Sequence, residues 1–426
     1  MPAKASTHKI IQQLSSASCA LLGISTPLNA ETKPWIIDLG VMNYIEKDRN
    51  TGFEFIARGT RETEDGGLLG VTAELDVITG ATPNGATSSN VPQTFTMSSG
   101  VGSYSVAANE LPADDTHMDT RLGLKADRKD PLQQNLTADY NALISMEFDY
   151  LAFAAGGSLA LDLDRNNTTL VAGLNLEYNR VHPVGNTPLP FASMQPAGQP
   201  QPRGVSSKTK SGEEFSIGLN QVIDQRSLVQ IRLTRSSFSG YLTDPYKLLS
   251  VVDNQNQATL GATQRYVFEN RPDSRDMKSL YLAYKRSFER GILDVSYRLF
   301  DDSWEVQSHT LDVAYKFRLS NRYFIRPQVR LYRQDSAFFY RHSLKSDEPL
   351  PVFASADARL AEFTATTVGF EAGRSLAFDR KHSFTVEYYT QSGDSSPDDA
   401  IGLQQQQDLY PGLQALVFKY VYSINW

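Results

Sequence analysis

Residues 311–318 read Leu-Asp-Val-Ala-Tyr-Lys-Phe-Arg. Leu311, Val313, Tyr315 and Phe317 occupy every second position, with Asp312, Ala314, Lys316 and Arg318 between them. A period of two puts the first set on one face of a β-strand and the charges on the other. The pattern recurs in both directions. Leu293, Val295, Tyr297 and Leu299 alternate with Asp294, Ser296 and Arg298, and Val229, Ile231 and Leu233 with Gln230 and Arg232. Leu170, Ala172, Leu174, Leu176 and Tyr178 do the same, as do Val71, Ala73, Leu75 and Val77.

Sixteen segments of this kind are predicted: 36–47, 51–63, 67–79, 119–128, 134–148, 150–163, 167–181, 211–223, 227–240, 276–288, 291–301, 304–319, 322–335, 362–376, 382–391 and 413–426. Without the first two the count is fourteen. Short, charged or Gly-rich turns follow even-numbered strands: 64–67, 127–130, 164–167, 224–227, 289–291, 319–322 and 379–382. Long connections follow odd-numbered ones, near 80–118, 182–210, 241–275, 336–361 and 392–412. A soluble sandwich has no reason to keep that rule. A transmembrane antiparallel up-and-down β-barrel does, with short turns in the periplasm and long loops outside the cell. The last strand supports this: Leu416, Phe418, Tyr420, Tyr422, Ile424 and Trp426 make one apolar face, the kind of C-terminal signal read by the barrel assembly machinery.

The chain has 426 residues, a formal net charge of −7 and 40% hydrophobic residues, with 3 Trp, 20 Tyr and 21 Phe. Its mean hydropathy of −0.36 excludes a helical membrane protein, which needs long apolar runs. The aromatics exclude disorder, and Cys19, the single cysteine, excludes a disulfide scaffold and a cysteine-rich metal site. The six histidines show no metal spacing, and P-loop, GxGxxG and GxSxG motifs are missing. The reading therefore assigns no metal, no cofactor and no nucleic-acid partner. Residues 1–30 carry Lys4 and Lys9, an apolar stretch Ala17–Ile24 and Leu28-Asn-Ala30. That order predicts a secretory signal peptide, leaving 31–426 as one outer-membrane barrel domain in contact with lipid. Its removal takes the charge from −7 to −9.

Several stretches carry a family resemblance: Leu75–Gly85 (LDVITGATPNG), Asp119-Thr-Arg121, Gly240–Lys247 (GYLTDPYK), Glu269–Arg275 (ENRPDSR), Ser308-His-Thr310, Pro327–Gln334 and Phe338-Phe-Tyr340. In this order they resemble the bacterial family of unknown function DUF3570. The resemblance implies an outer-membrane barrel of undefined role. Genes of that family often sit near a small lipoprotein, a flavin-transferring protein and a thioredoxin-like protein, which implies a link to envelope redox chemistry. It carries over no catalytic residue.

In such a barrel the polar face of each strand lines the lumen. Arg232, Arg298, Lys316, Arg318, Arg326 and Arg330 then form a basic wall, and Glu74, Asp76, Glu177, Glu371 and Glu387 an acidic one. Facing walls would tune which solutes pass; the alternative is that these charges pair across neighbouring strands and fill the barrel. Asp244, Tyr246, Lys247, Arg271, Asp273 and Arg275 bracket one long loop and could fold it inward as a plug or anchor it. Thr79–Gly85 reads as turn chemistry, the proline-rich 182–210 as a solvated extended segment, and Gln404–Gln407 as polar filler. The function expected is a porin-like passage for small solutes. The alternative is a non-conducting barrel that holds a periplasmic or surface lipoprotein or redox partner. A hydrolase using His117 with Asp114 and Asp115, or His342 with Asp335 and Ser343, is the remote reading; the expectation is that the chain is not an enzyme.

Overall fold

A computed structural model describes residues 34–114, 118–375 and 380–425. The predicted signal peptide, His117 and Trp426 lie outside these residues. All sixteen predicted strands are present: β1 Ile36–Glu46, β2 Thr51–Glu62, β3 Leu68–Thr79, β4 Met118–Gln133, β5 Leu136–Met146, β6 Tyr150–Leu163, β7 Thr168–Val181, β8 Lys208–Asp224, β9 Ser227–Gly240, β10 Ser274–Phe288, β11 Gly291–Asp302, β12 Gln307–Arg318, β13 Tyr323–Gln334, β14 Phe363–Ser375, β15 Lys381–Gly393 and β16 Leu413–Asn425. Each pairs antiparallel with its sequence neighbours, and β1 pairs with β16, so the sheet closes with no free edge.

Two rows of residues across the seam show what the alternation achieves. Phe384, Tyr420, Val41, Phe55, Leu75, Leu122 and Met146 are successive cross-strand partners or near partners from β15 through β1 to β5, and all are exposed. One residue along the same strands, Arg326, Glu371, Thr385, Lys419, Met42, Glu54, Asp76 and Arg121 form a matching row. The first row is an unbroken line of exposed apolar and aromatic side chains across seven strands, and it fits hydrocarbon. The second faces the interior. Strands of 11–17 residues are long enough to cross a bilayer when tilted. Among the described residues no helix is long and apolar enough to cross a membrane.

The connections sort as the alternation rule requires. Among the described residues β2, β4, β6, β8, β10 and β12 are each followed by a tight turn, as at Gln134-Asn135, and this end is the turn end of the barrel. The long connections all sit at the other, loop end. One turn is misplaced in the sequence reading: Asp127–Asp130 is not a turn but part of β4. Its charges are satisfied within the sheet, since Arg58 Nη2 reaches Asp127 at 3.1 Å and Arg128 Nε reaches Asp130 at 2.8 Å. The expected turn at 379–382 falls partly on residues outside the described set, and Lys381 and His382 already belong to β15.

Candidate functional site

The long connections are not separate loops. At their centre lies a three-stranded sheet: Leu248–Val252 pairs antiparallel with Thr263–Phe268 and parallel with Ser343–Lys345. Leu248-Leu-Ser-Val-Val252 is buried on both faces, which explains its unbroken apolar character. Leu249, Val251 and Val267 pack on Leu344, Ala354, Ala356 and Phe191. Leu248 and Phe268 pack on Ala86, Phe95 and Val106. Backbone bonds stitch in the remaining segments. Leu248 N donates to Asn84 O at 2.8 Å, Phe191 N to Phe268 O at 3.1 Å, and Leu403 N to Leu260 O at 2.8 Å. The connections after β3, β7, β9, β13 and β15 thus form one body. β3 and β9 stand six strands apart in the barrel order. That is about 30 Å of wall at the usual strand spacing of ~4.8 Å. Loops rooted so far apart meet only by crossing the mouth, so the body is a cap over the loop end.

Two sequence expectations are corrected here. The proline-rich segment 182–210 is not a solvated spacer: Thr187 is 1% exposed, and Phe191, Ala192 and Met194 pack into the cap. Gln404 is not filler either; it is buried and donates to Ser343 Oγ at 2.9 Å. In both cases the partner comes from a distant connection, which local composition does not reveal.

A knot of six charges adjoins the end of the central sheet, where Lys247 precedes Leu248 and Glu269 follows Phe268. Glu269 Oε1 accepts from Asp244 N at 2.6 Å, and its other oxygen from Arg271 Nη2 at 3.1 Å and from the Ser355 hydroxyl. Arg271 Nη2 also reaches Asp357 Oδ2 at 2.8 Å. Arg359 Nε donates to both Asp357 oxygens, and its Nη2 to Asp244 Oδ2 at 3.2 Å. Lys247 Nζ donates to the Pro83 carbonyl, which ties the knot to the connection after β3. Burial works against ionisation of Asp357, but Arg359, Lys247 and Arg271 outweigh it and hold the carboxyl well below the usual range. Burial raises Glu269 despite Arg271 and lowers Lys247 despite Asp357 and Asp244. Arg271 is raised, since Glu269, Asp357 and Asp244 override its own desolvation. Charges this deep are tolerated because every one has an opposite partner.

The predicted loop residues therefore converge, with different roles. Asp244, Lys247 and Arg271 are in the knot. Tyr246 donates to Asp149 in the short β5–β6 connection and accepts from Val184 N at 3.2 Å. Arg275 Nε donates to Asp302 Oδ2 at 2.7 Å and its guanidinium lies 4.3 Å from the Trp304 ring centre. Trp304 in turn packs edge-on against Phe339 of the β13–β14 connection. Asp273 is exposed, and what it supplies is its carbonyl, which accepts from Gly240 N at 2.8 Å. Asp357, Arg359 and Ser355 were missed by sequence reasoning. Their only signal is a run of small and apolar residues, 352–358, inside a long connection.

The predicted lumen charges all occupy interior positions by register. Arg326 pairs with Glu371 at 3.7 Å, and Glu387 with Lys419 at 2.8 Å. Arg330 Nε reaches Asp312 at 2.6 Å. Glu74 and Asp76 face Arg121 at 3.5 and 3.7 Å, and Glu177 accepts from Asn179 Nδ2 at 2.7 Å. Arg298 stacks 5.5 Å from the Tyr281 ring centre, and Lys316 Nζ sits 3.7 Å from that of Phe324. Arg318 stands at the turn end, donating to Ser287 Oγ and Phe288 O. The two sets abut at the β13–β14 seam. Phe418, Tyr420, Tyr422 and Ile424 occupy alternate positions of β16; Tyr420 is exposed, and Phe418 stacks on Phe384. His342 Nδ1 lies 3.6 Å from Asp399 of the β15–β16 connection, a partner that the sequence reading did not name.

These features define a class: a membrane-spanning β-barrel of sixteen strands with a polar interior and an interlocked loop cap. The chain belongs to the family described as "Protein of unknown function (DUF3570)", which it matches over residues 11–424. No curated protein sequence matches it. Among solved structures it is similar to a bacterial polysaccharide outer membrane secretin, at 7% identity and a TM-score of 0.47, covering 93% of this chain and 99% of that one. It is also similar to a mutant of the ferric enterobactin receptor PfeA from Pseudomonas aeruginosa, at 11% identity and a TM-score of 0.46. That match covers 94% of this chain but only 60% of the receptor. A third is the CymD monoaromatic hydrocarbon channel, at 8% identity and a TM-score of 0.38, covering 95% of each chain.

Proposed function

We propose that this protein is a passage for small solutes across the bacterial outer membrane, with a charged lumen and entry restricted by the cap. One observation carries the reading: interior charges keep access to water. The side chains of Arg326, Arg330, Asp312 and Lys419 are 30–37% exposed, although they sit on the inner face of a closed wall. A sixteen-strand barrel is too wide for side chains alone to fill, so water occupies the remainder. Short turns face the periplasm in this reading and the cap faces outward, as in other outer-membrane barrels. No catalytic step is involved.

The test is a planar-bilayer recording on folded protein, with folding checked by heat-modifiable gel migration. Discrete conductance steps are expected, with ion selectivity shifting toward cations when Arg326 and Arg330 are changed to Glu. Folded protein that never conducts would overturn the passage and favour a barrel that holds a lipoprotein or redox partner.

A further inference from the structure

The interior carries a second pattern, which runs through part of the basic wall. Arg232, Tyr281, Arg298, Thr310, Tyr332, Ala365 and Gln391 are successive cross-strand partners on β9 through β15. The next inward row is Gln230, Ala283, Ser296, Asp312, Arg330, Thr367 and Tyr389. Because strands in a closed barrel are staggered, these rows climb. Arg232 lies five residues from the turn end of β9, whereas Gln391 lies two residues from the loop end of β15. The top of the rise meets the cap: Gln391 Nε2 donates to Tyr410 Oη at 2.6 Å, and Tyr410 packs on Phe363 with Tyr332 and Tyr389 alongside.

The composition of this slope is selective. Three guanidiniums and three tyrosines share it, with the small residues Ala283, Ser296 and Thr310 between them. Arg298 lies against the Tyr281 ring, and Arg232 is the partner of Tyr281 on its other side. Arg330 is engaged by Asp312 through Nε, and its side chain is 30% exposed, so among the described residues its terminal nitrogens remain for a ligand. Guanidinium forks match carboxylates, and tyrosine rings offer flat apolar faces with polar rims.

We propose that this slope is the solute track, and that the solute is a small organic anion built on a ring, an aromatic or sugar carboxylate. The proposal rests on the passage reading and adds the substrate class. The track binds the carboxylate between Arg232, Arg298 and Arg330 while the ring lies on Tyr281 or Tyr332, handing the solute from beneath the cap to mid-lumen.

Two measurements test it on the full folded protein. In bilayers, benzoate and glucuronate are expected to block potassium chloride current at concentrations at least about tenfold lower than acetate or glucose. The double variant Arg232→Gln, Arg298→Gln is expected to raise their half-blocking concentrations by about tenfold or more, the scale of one lost charge-assisted hydrogen bond. Tyr281→Leu keeps the charges and is expected to weaken ring compounds but not acetate. Equal block by acetate, equal block by glucose, or no change in the variants would overturn the track while leaving the passage intact. If no current is seen the passage fails, and calorimetric titration with benzoate and glucuronate then decides the track alone: binding lost in the double variant supports it, and no binding overturns it.

Discussion

Replacing Asp357 by Asn should open the cap while leaving the barrel closed. Asp357 is 3% exposed and receives Arg359 through two nitrogens and Arg271 at 2.8 Å. Its carboxylate neutralises two cations at once, and it also caps the short turn Ala358–Leu360 by accepting from Arg359 N. Removing one member of a buried charge set leaves its partners uncompensated, which costs about 3–5 kcal/mol. That cost falls on the cap, because no barrel-strand residue pairs with Asp357 among the described residues. A local loss of ~3 kcal/mol raises the open fraction on the order of 10²-fold. Hydrogen exchange read by mass spectrometry should therefore speed up by that factor in 241–273 and 335–362, with β1–β16 unchanged. The double variant Asp357→Asn, Arg359→Gln removes one charge of each sign and should recover part of the protection. Unchanged exchange in the cap, or equal acceleration throughout the barrel, would refute the reasoning that the knot holds the cap as its own unit.

Other perturbations test separate parts of the architecture. Gly85 has φ +95°, and a Cβ there would lie 2.5 Å from Leu248 O, so Gly85→Ala should separate the β3 connection from the central sheet. Limited proteolysis near 80–114 is the readout, with cleavage increased and the barrel core retained. Burial lowers the His342 pKa against the pull of Asp399. A histidine depressed in the folded state gives stability that is complete above its ordinary pKa of about 6.5 and is lost as pH falls below it. Acidification from pH 8 to pH 5 should thus loosen 394–412 in hydrogen exchange, and His342→Gln should abolish the dependence. Leu75→Arg puts a charge on the lipid face and should cost about 2–4 kcal/mol, seen as a lower urea midpoint in lipid vesicles.

The barrel was readable in the sequence because its rule is local. Leu311 to Arg318 announces its two faces within eight residues, and the turns after even strands repeat the message. Asp127–Asp130 misled because a charge cluster looks like a turn when its partner, Arg58, is on another strand. The cap was hidden for the same reason. Leu248–Val252 has no alternation to read, and its neighbours Leu344, Phe95 and Phe191 come from three other connections. The convergence of Asp244, Lys247 and Arg271 was anticipated as a loop feature, but Asp357 and Arg359, which complete it, lie 86 residues beyond Arg271 or further. Charges on one face of a strand reveal which way they point, whereas their partners depend on register across strands.

The seam between β1 and β16 sets a condition on how the molecule is made. Ile36–Glu46 finds its second neighbour only in Ala415–Asn425, at the far end of the chain. Every other ladder of the barrel can form between strands that are neighbours in sequence. The seam is the single pairing with nearly the whole chain as its loop, so it forms last and at the largest entropic cost. A chain broken off anywhere before β16 keeps two open strand edges, however well the rest has paired. Closure thereby works as a check on the two outermost barrel strands: only a polypeptide that carries both β1 and β16 presents a sealed cylinder, and a fragment lacking either advertises itself by an unpaired edge.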